Sequence, residues 1–259
     1  MKEEKIKING NKIVLGDCFK VLKRIDDIVD FIITDPPQYR LINDNIEFNT
    51  RKSVIRKVEF DNFSNYQTFI LFTALWIKLC SKILKDNGVI GIFYAEIFSN
   101  DLIEICNKYE LEYFDTFYWH KINPMPQVRK RNFVSSVETC LFFVKNKRYT
   151  FNFLGQNDMH DFMELPICAG KERLKDDNNE TLHPTQKPIK LIEHFIKIFT
   201  NSGEKVVDPF SGTGTTNIAC KCLNRNCLGI EKNQLYHKKS IKRLNNVNIS
   251  KSGVLKWLE

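Results

Sequence analysis

Lys205 to Thr216 reads KVVDPFSGTGTT: a short β-branched run, an acid, and a glycine turn that leads into a segment of helical character. A strand, a tight glycine turn and a helix form the repeating unit of parallel, helix-covered sheets. Gly212 and Gly214 permit positive φ and close approach of a ligand to the backbone. The amides that open the helix can meet a carboxylate or other polar group. The turn lacks the third glycine of the dinucleotide fingerprint and the Gly-Lys-Ser/Thr of a phosphate loop, which disfavours nicotinamide and triphosphate ligands. The next strand, Cys227 to Ile230, ends about twenty residues on at Glu231, an acid suited to two ribose hydroxyls.

The same alternation extends along the chain. Strands are predicted at Ile13–Leu15, Val29–Thr34, Val89–Tyr94, Tyr113–Trp119, Thr139–Val144, Lys205–Val207 and Cys227–Ile230. Helices are predicted at about Tyr66–Lys85, Ser99–Lys108, Pro188–Thr200, Thr215–Leu223 and Gln234–Asn245, with Ser99-Asn100-Asp101 as a cap. The fold class is therefore α/β, a seven-stranded, mostly parallel sheet with helices on both faces. At 259 residues one domain, 1–259, is expected. Two polar stretches, Gln38 to Asn65 and Asn146 to Leu182, resist assignment and read as functional loops or locally disordered segments.

The composition, 42% hydrophobic and 27% charged, is that of a soluble globular protein, and no apolar run is long enough to span a bilayer. The charged N-terminus MKEEKIKING lacks the apolar region of a signal peptide, so a cytoplasmic protein is expected. Eight cysteines then read as reduced thiols. Cys220, Cys222 and Cys227 come nearest to a metal signature, but Cys220 and Cys222 would point to different faces of a helix, and no metal is expected. A net charge of +8 fits a polyanionic partner. Basic residues gather at Arg51, Lys52, Arg56 and Lys57, at Lys121, Arg129, Lys130 and Arg131, and at Lys238, Lys239, Lys242 and Arg243. The last group reads best as a solvated helix face; the middle one lies in a loop-like stretch where binding is easier to motivate.

Two further segments carry chemistry. Thr34-Asp35-Pro36-Pro37 follows the apolar run Phe31-Ile32-Ile33, so a carboxylate and two prolines stand at the C-terminal edge of a buried strand, where open α/β sheets bind ligands. Proline fixes φ, has no N–H, and leaves its carbonyl free to accept. Asp35 and the Pro36 carbonyl can each take one hydrogen of an amino group and so orient a poorly nucleophilic aromatic amine. Either a strand-ending turn or a catalytic site fits this motif alone. His183-Pro-Thr-Gln-Lys187-Pro188 is a polar segment whose last proline opens an amphipathic helix.

Taken together and in this order, the motifs resemble the beta-group amino-methylating DNA methyltransferases over nearly the whole length, with the catalytic half preceding the cofactor half. Leu15-Gly16-Asp17-Cys18 resembles the segment that contacts the cofactor adenine, and TDPP the catalytic motif. Lys121-Ile-Asn-Pro-Met-Pro126 to Lys145 looks like the DNA-facing loop and last strands. HPTQKP, DPFSGTGTT and GIEKNQLY resemble the segments that hold the methionine and ribose of S-adenosylmethionine. The resemblance implies a circularly permuted Rossmann-like sheet with one reversed strand and a target base flipped out of the duplex. It implies cofactor contacts from Asp17, Cys18, Asp35, His183, Thr185, Lys187, Asp208, Phe210, Gly212, Thr213, Gly214, Thr215 and Glu231. Catalysis would fall to Asp35, Pro36 and Pro37, with Gln38 or Tyr39 beside them.

The family usually carries an aromatic directly after the prolines, stacked on the flipped base; here Gln38 stands there and Tyr39 follows. Either Tyr39 supplies the stacking face through a one-residue shift, the preferred reading, or Gln38 meets the base edge and stacking is lost. DNA contacts are expected from Lys121, Asn123, Arg129, Lys130 and Arg131, and from Arg51, Lys52, Arg56 and Lys57 in a mobile 38–65 loop. Residues 121–182 would form the DNA-facing loop and a small target-recognition region. Double-stranded DNA is the expected partner, with a second copy of the chain and a cognate restriction endonuclease as candidates. Adenine is the expected target; cytosine amino-methylation and a catalytically silent DNA-binding homologue are the alternatives.

Overall fold

The computed structural model describes residues 4–39, 63–127, 130–176, 178–183, 185–249 and 255–257. The strands are β1 (Asn11–Leu15), β2 (Val29–Thr34), β3 (Leu84–Tyr94), β4 (Glu112–Lys121), β5 (Val137–Val144), β6 (Phe162–Leu165), β7 (Lys205–Asp208), β8 (Asn226–Glu231), β9 (Val247–Ile249) and β10 (Leu255–Trp257). The α-helices are α1 (Cys18–Leu22), α2 (Tyr66–Ile83), α3 (Ser99–Asn107), α4 (Ile189–Phe199), α5 (Thr215–Cys222) and α6 (Gln234–Asn245). β1 to β8 form one sheet in the order β1-β8-β7-β2-β3-β5-β4-β6, and β9 and β10 pair separately. β5 runs antiparallel to both of its neighbours, β3 and β4; every other pair in the large sheet is parallel.

All seven predicted strands are present, but the sheet has eight. The addition, β6, is a four-residue edge strand within the stretch left unassigned, and its parallel pairing with β4 aligns Tyr118 with Phe162 and Lys121 with Leu165. Four residues flanked by polar sequence carry too little periodicity to be read as a strand. α1 was likewise not expected; the Asp17 side chain accepts from Phe19 N at 3.0 Å and caps it. The expected Ser99 cap is not formed, because α3 continues from a 3₁₀ turn at Glu96–Phe98 and starts behind Phe98 without a side-chain cap.

Period-2 alternation divides the strands between two cores. Ile32, Ile90, Ile92, Leu141, Phe143, Val207 and Leu228 face α1, α2 and α3. Phe31, Ile33, Val89, Phe93, Phe142, Val206 and Cys227 face α4 and α5. α2 buries Phe69, Thr73, Trp76, Ile77 and Cys80 at helical spacing, and α4 buries Ile192, Phe195, Ile196 and Phe199. All eight cysteines are free, and seven are buried. Among the described residues no helix is long and apolar enough to cross a membrane.

With both faces covered, the functional groups fall to the sheet's edge. The carboxyl ends of β1, β8, β7, β2, β3 and β4 lie on one side of it, joined there by the first residues of β5. Phe195 fixes α4 on this frame through ring contacts to Phe93, Phe117 and Phe142. Phe195→Ala is expected to cost about 3–5 kcal/mol of stability, read as a lowered urea midpoint with an unchanged slope.

Candidate active site at the carboxyl edge of the sheet

β2 delivers Asp35 to this edge, and the strand end is pinned from beneath. Thr34 Oγ1 donates to Asp208 Oδ1 at 2.7 Å, Phe210 N donates to the same oxygen at 3.1 Å, and Thr216 Oγ1 donates to Asp208 Oδ2 at 2.6 Å. Asp208, expected to touch a cofactor, is 5% exposed and spends both oxygens on the frame. Burial raises its pKa, and the hydrogen bonds from Thr216, Thr34 and Phe210 oppose that rise. It locks the end of β2 to the glycine turn.

Lys187 links the two halves of the site. Its Nζ lies 2.5 Å from Asp35 Oδ2 and 3.1 Å from Glu138 Oε2, and Lys121 reaches Glu138 Oε1 at 3.3 Å. Burial alone would lower the pKa of Lys187, but Asp35 and Glu138 outweigh it and raise it, so the ammonium stays charged. Burial would raise the pKa of Glu138; Lys187 and Lys121 reverse this and lower it. Glu138 was not anticipated. Its signal was a lone acid at the start of the apolar strand Val137–Val144. Lys121, expected on DNA, is 9% exposed and engaged by Glu138.

The turn after Pro37 also departs from expectation. The Gln38 amide donates to Pro36 O at 3.0 Å and to Phe93 O at 3.1 Å, and accepts from Ala95 N at 3.3 Å. Tyr39 does not take the stacking position. Its ring packs against Tyr66, Phe69 and Phe98 at centroid distances of 5.7, 5.8 and 6.1 Å, as part of the aromatic cluster under α2. The apolar contacts of that cluster outcompete an exposed position over the cleft.

The glycine turn takes the predicted conformation, with φ of 51° at Gly212 and 73° at Gly214. At Gly214 the positive φ is one that L side chains rarely adopt, and a Cβ there would also press on Ile13 Cδ1 at 2.8 Å, so glycine is favoured. Glu231 Oε2 accepts from Gly212 N at 2.9 Å, and Oε1 accepts from Asn233 N at 2.6 Å. Burial pushes the Glu231 carboxyl up to about 7 despite these bonds. His183 lines the same space beside Tyr236, and burial, with Lys187 and Arg173, lowers it to about 4, so it is neutral at physiological pH. Cys18 is buried there as an uncharged thiol, raised to about 12 by burial and by Asp17. Thr215 Oγ1 donates to the Lys187 carbonyl at 3.3 Å. Arg243, grouped by sequence with a basic helix face, is instead buried and donates to Thr213 O at 3.0 Å and Thr215 Oγ1 at 3.0 Å, bracing the turn.

These residues enclose a cleft of about 840 Å³, within the range of small-molecule sites. Asp17, Cys18, Asp35, Pro36, Pro37, Gln38, His183, Thr185, Lys187, Asp208, Phe210, Gly212, Thr213, Thr215 and Glu231 all line it. Gly214 stands behind it as the cap of α5. Lys130 and Arg131 are exposed, and Asn123 accepts from Ile167 N at 2.8 Å. Arg51, Lys52, Arg56, Lys57 and Arg129, with most of the 38–65 loop, lie outside the described residues. Asp35 and the glycine turn thus line the same cleft.

Comparison with known proteins agrees with this layout. A family model described as DNA methylase matches residues 29–242. The chain is 32% identical to the Type II methyltransferase M.HinfI of Haemophilus influenzae, across 95% of this chain and 72% of that protein. It is also 32% identical to the Type II methyltransferase M2.DpnII of Streptococcus pneumoniae, across 91% of each. The crystal structure of an M1.HpyAVI–SAM complex superposes with a TM-score of 0.69 at 31% identity, covering 90% of this chain and 98% of that one. With its cleft, its pinned Asp-Pro-Pro strand end and its glycine turn in permuted order, the chain belongs to the N6/N4 DNA methylase family.

Proposed function

We propose that this S-adenosylmethionine-dependent DNA methyltransferase methylates the exocyclic amine of adenine within a short duplex site, after the base is flipped from the stack. The observation that carries this reading is Asp35 and the Pro36 carbonyl on the wall of the cleft that Glu231 and the glycine turn close from the other side. The amine is out of reach while its base is stacked, and flipping costs a few kcal/mol. The acid at position 35 favours adenine over cytosine, because the cytosine enzymes this family includes more often carry serine there.

The residues fit the cofactor. Glu231 at the end of β8 suits two ribose hydroxyls, the amides around Gly212 suit the polar end of an amino acid, and Cys18 and Phe210 offer apolar walls. When bound, S-adenosylmethionine supplies an electrophilic methyl group. Asp35 and the Pro36 carbonyl orient the amine nitrogen toward it and stabilise the positive charge that develops there. Because Lys187 holds Asp35, the carboxylate acts as an acceptor; a strong base is not needed, since the methylated amine sheds its proton readily. Lys130, Arg131 and Asn123 on the 121–182 segment are assigned to the DNA side.

The test is to incubate the protein with labelled S-adenosylmethionine and mixed-sequence duplex DNA and to identify the modified nucleoside by mass spectrometry. N6-methyladenine is expected; N4-methylcytosine, or cofactor binding without transfer, would overturn the assignment. Asp35→Ala is expected to lower transfer by at least about 10²-fold while the cofactor still binds. Full activity in that variant would remove Asp35 from the mechanism.

Glu231 predicts a pH dependence. Its folded-state pKa of about 7 stands above the ordinary carboxylate value. Cofactor affinity therefore weakens as pH falls below 7, by about tenfold per unit where only the carboxylate binds. The stability of the free protein runs the other way and is lost as pH rises toward 7, because the folded state keeps the proton longer than the unfolded one. Titration calorimetry at pH 6 to 8 checks the first trend, and Glu231→Gln should flatten it.

A further inference from the structure

The Gln38 side chain presents, side by side, an NH₂ donor and a carbonyl acceptor. Around it the backbone supplies the complement: Pro36 O at 3.0 Å and Phe93 O at 3.1 Å accept from the amide nitrogen, and Ala95 N donates to the amide oxygen at 3.3 Å. Two carbonyls on one side and one N–H on the other fix which way the amide points. The same donor–acceptor pair is the Watson–Crick edge of adenine, an exocyclic amine beside a ring nitrogen, and of cytosine. Guanine and thymine present a carbonyl where the amine would be.

We propose that Pro36 O and Ala95 N–H form a subsite for the edge of the flipped base, whose amine gives its other hydrogen to Asp35, and that Gln38 fills it with a carboxamide surrogate until the base displaces it. This rests on the amino-methylation reading above. Three features support it. Gln38 lines the cleft, so its amide occupies space that the base must enter. Pro36 O, the acceptor assigned to the target amine, is already satisfied, so the base exchanges one hydrogen bond for another there. Directly after the prolines neither Gln38 nor Tyr39 offers an aromatic face, since Tyr39 packs against Tyr66, Phe69 and Phe98, so recognition by this turn falls to the edge. Ring nitrogen to Ala95 N–H then selects a base with an acceptor next to its amine, which an aliphatic or guanidino amine lacks.

Gln38→Met removes the surrogate's hydrogen bonds at similar size, and Gln38→Glu turns a carboxylate toward two carbonyls, which expels it. Both variants are expected to raise kcat/KM on mixed-sequence duplex DNA by roughly three- to tenfold, the worth of one hydrogen-bond exchange, chiefly through KM. A second readout is independent of transfer: equilibrium binding of deoxyadenosine and of purine deoxyriboside to the S-adenosylmethionine-loaded protein. The variants should tighten deoxyadenosine and purine deoxyriboside by a similar factor, since either must displace Gln38, and should leave the preference for deoxyadenosine over the amine-free nucleoside as in wild type. No gain for either nucleoside, or a lower kcat with no gain in KM, would make Gln38 a clamp on the turn and overturn the subsite. A wild type that methylates no DNA, with the nucleoside selectivity intact, would instead remove the methylation reading and leave the subsite standing.

Discussion

The ammonium of Lys187, with its side chain 8% exposed, sits where the two halves of the molecule meet. Its Nζ reaches Asp35 beyond β2 and Glu138 at the start of β5, and lies 4.8 Å from the centroid of the Phe93 ring on β3. Its carbonyl accepts from Thr215 at the start of α5. Such a pairing adds little net stability, because removing charges from water offsets their attraction, but deleting one partner leaves the others exposed to repulsion. What the lysine fixes is geometry. Asp35 is held in place by the ammonium, and the segment that enters α4 is held against the end of β2. Asp208 does the same from below with neutral hydroxyls, tying Thr34 to Thr216. The catalytic and cofactor segments, distant in sequence, are thereby one rigid edge.

Most of the frame was legible in the sequence because burial on both faces leaves long apolar runs, and because glycine at 212 and 214 has a conformational reason. β6 and α1 escaped because four residues give only two periods of a strand and five little more than one turn of a helix. The motifs located the cleft, but sequence could not say which polar residues face it. Arg243 read as a surface charge and is a buried brace of the frame; Asp208, read as a ligand contact, lines the cleft and also ties Thr34 to Thr216. Lys121 read as a phosphate contact and is paired with Glu138. In each case tertiary pairing of buried charge decided the role, and that pairing is invisible to local pattern.

The position after the prolines shows the same limit. Sequence offered Tyr39 as the stacking face, on the premise that an aromatic near the site would be used there. The ring's apolar area is better spent against Tyr66, Phe69 and Phe98, and the polar Gln38 keeps the wall of the cleft. The departure from the usual residue therefore changes how a base is held, from its face toward its edge, while the acceptors at Asp35 and Pro36 remain.

The most direct test of the account is the kinetics of Lys187→Met, with folding verified by circular dichroism. If Lys187 acts by holding Asp35, kcat for DNA methylation should fall by roughly 10²-fold while S-adenosylmethionine affinity stays within about threefold of wild type. An unchanged kcat, or a loss confined to cofactor affinity, would contradict the claim that this buried ammonium organises the catalytic strand.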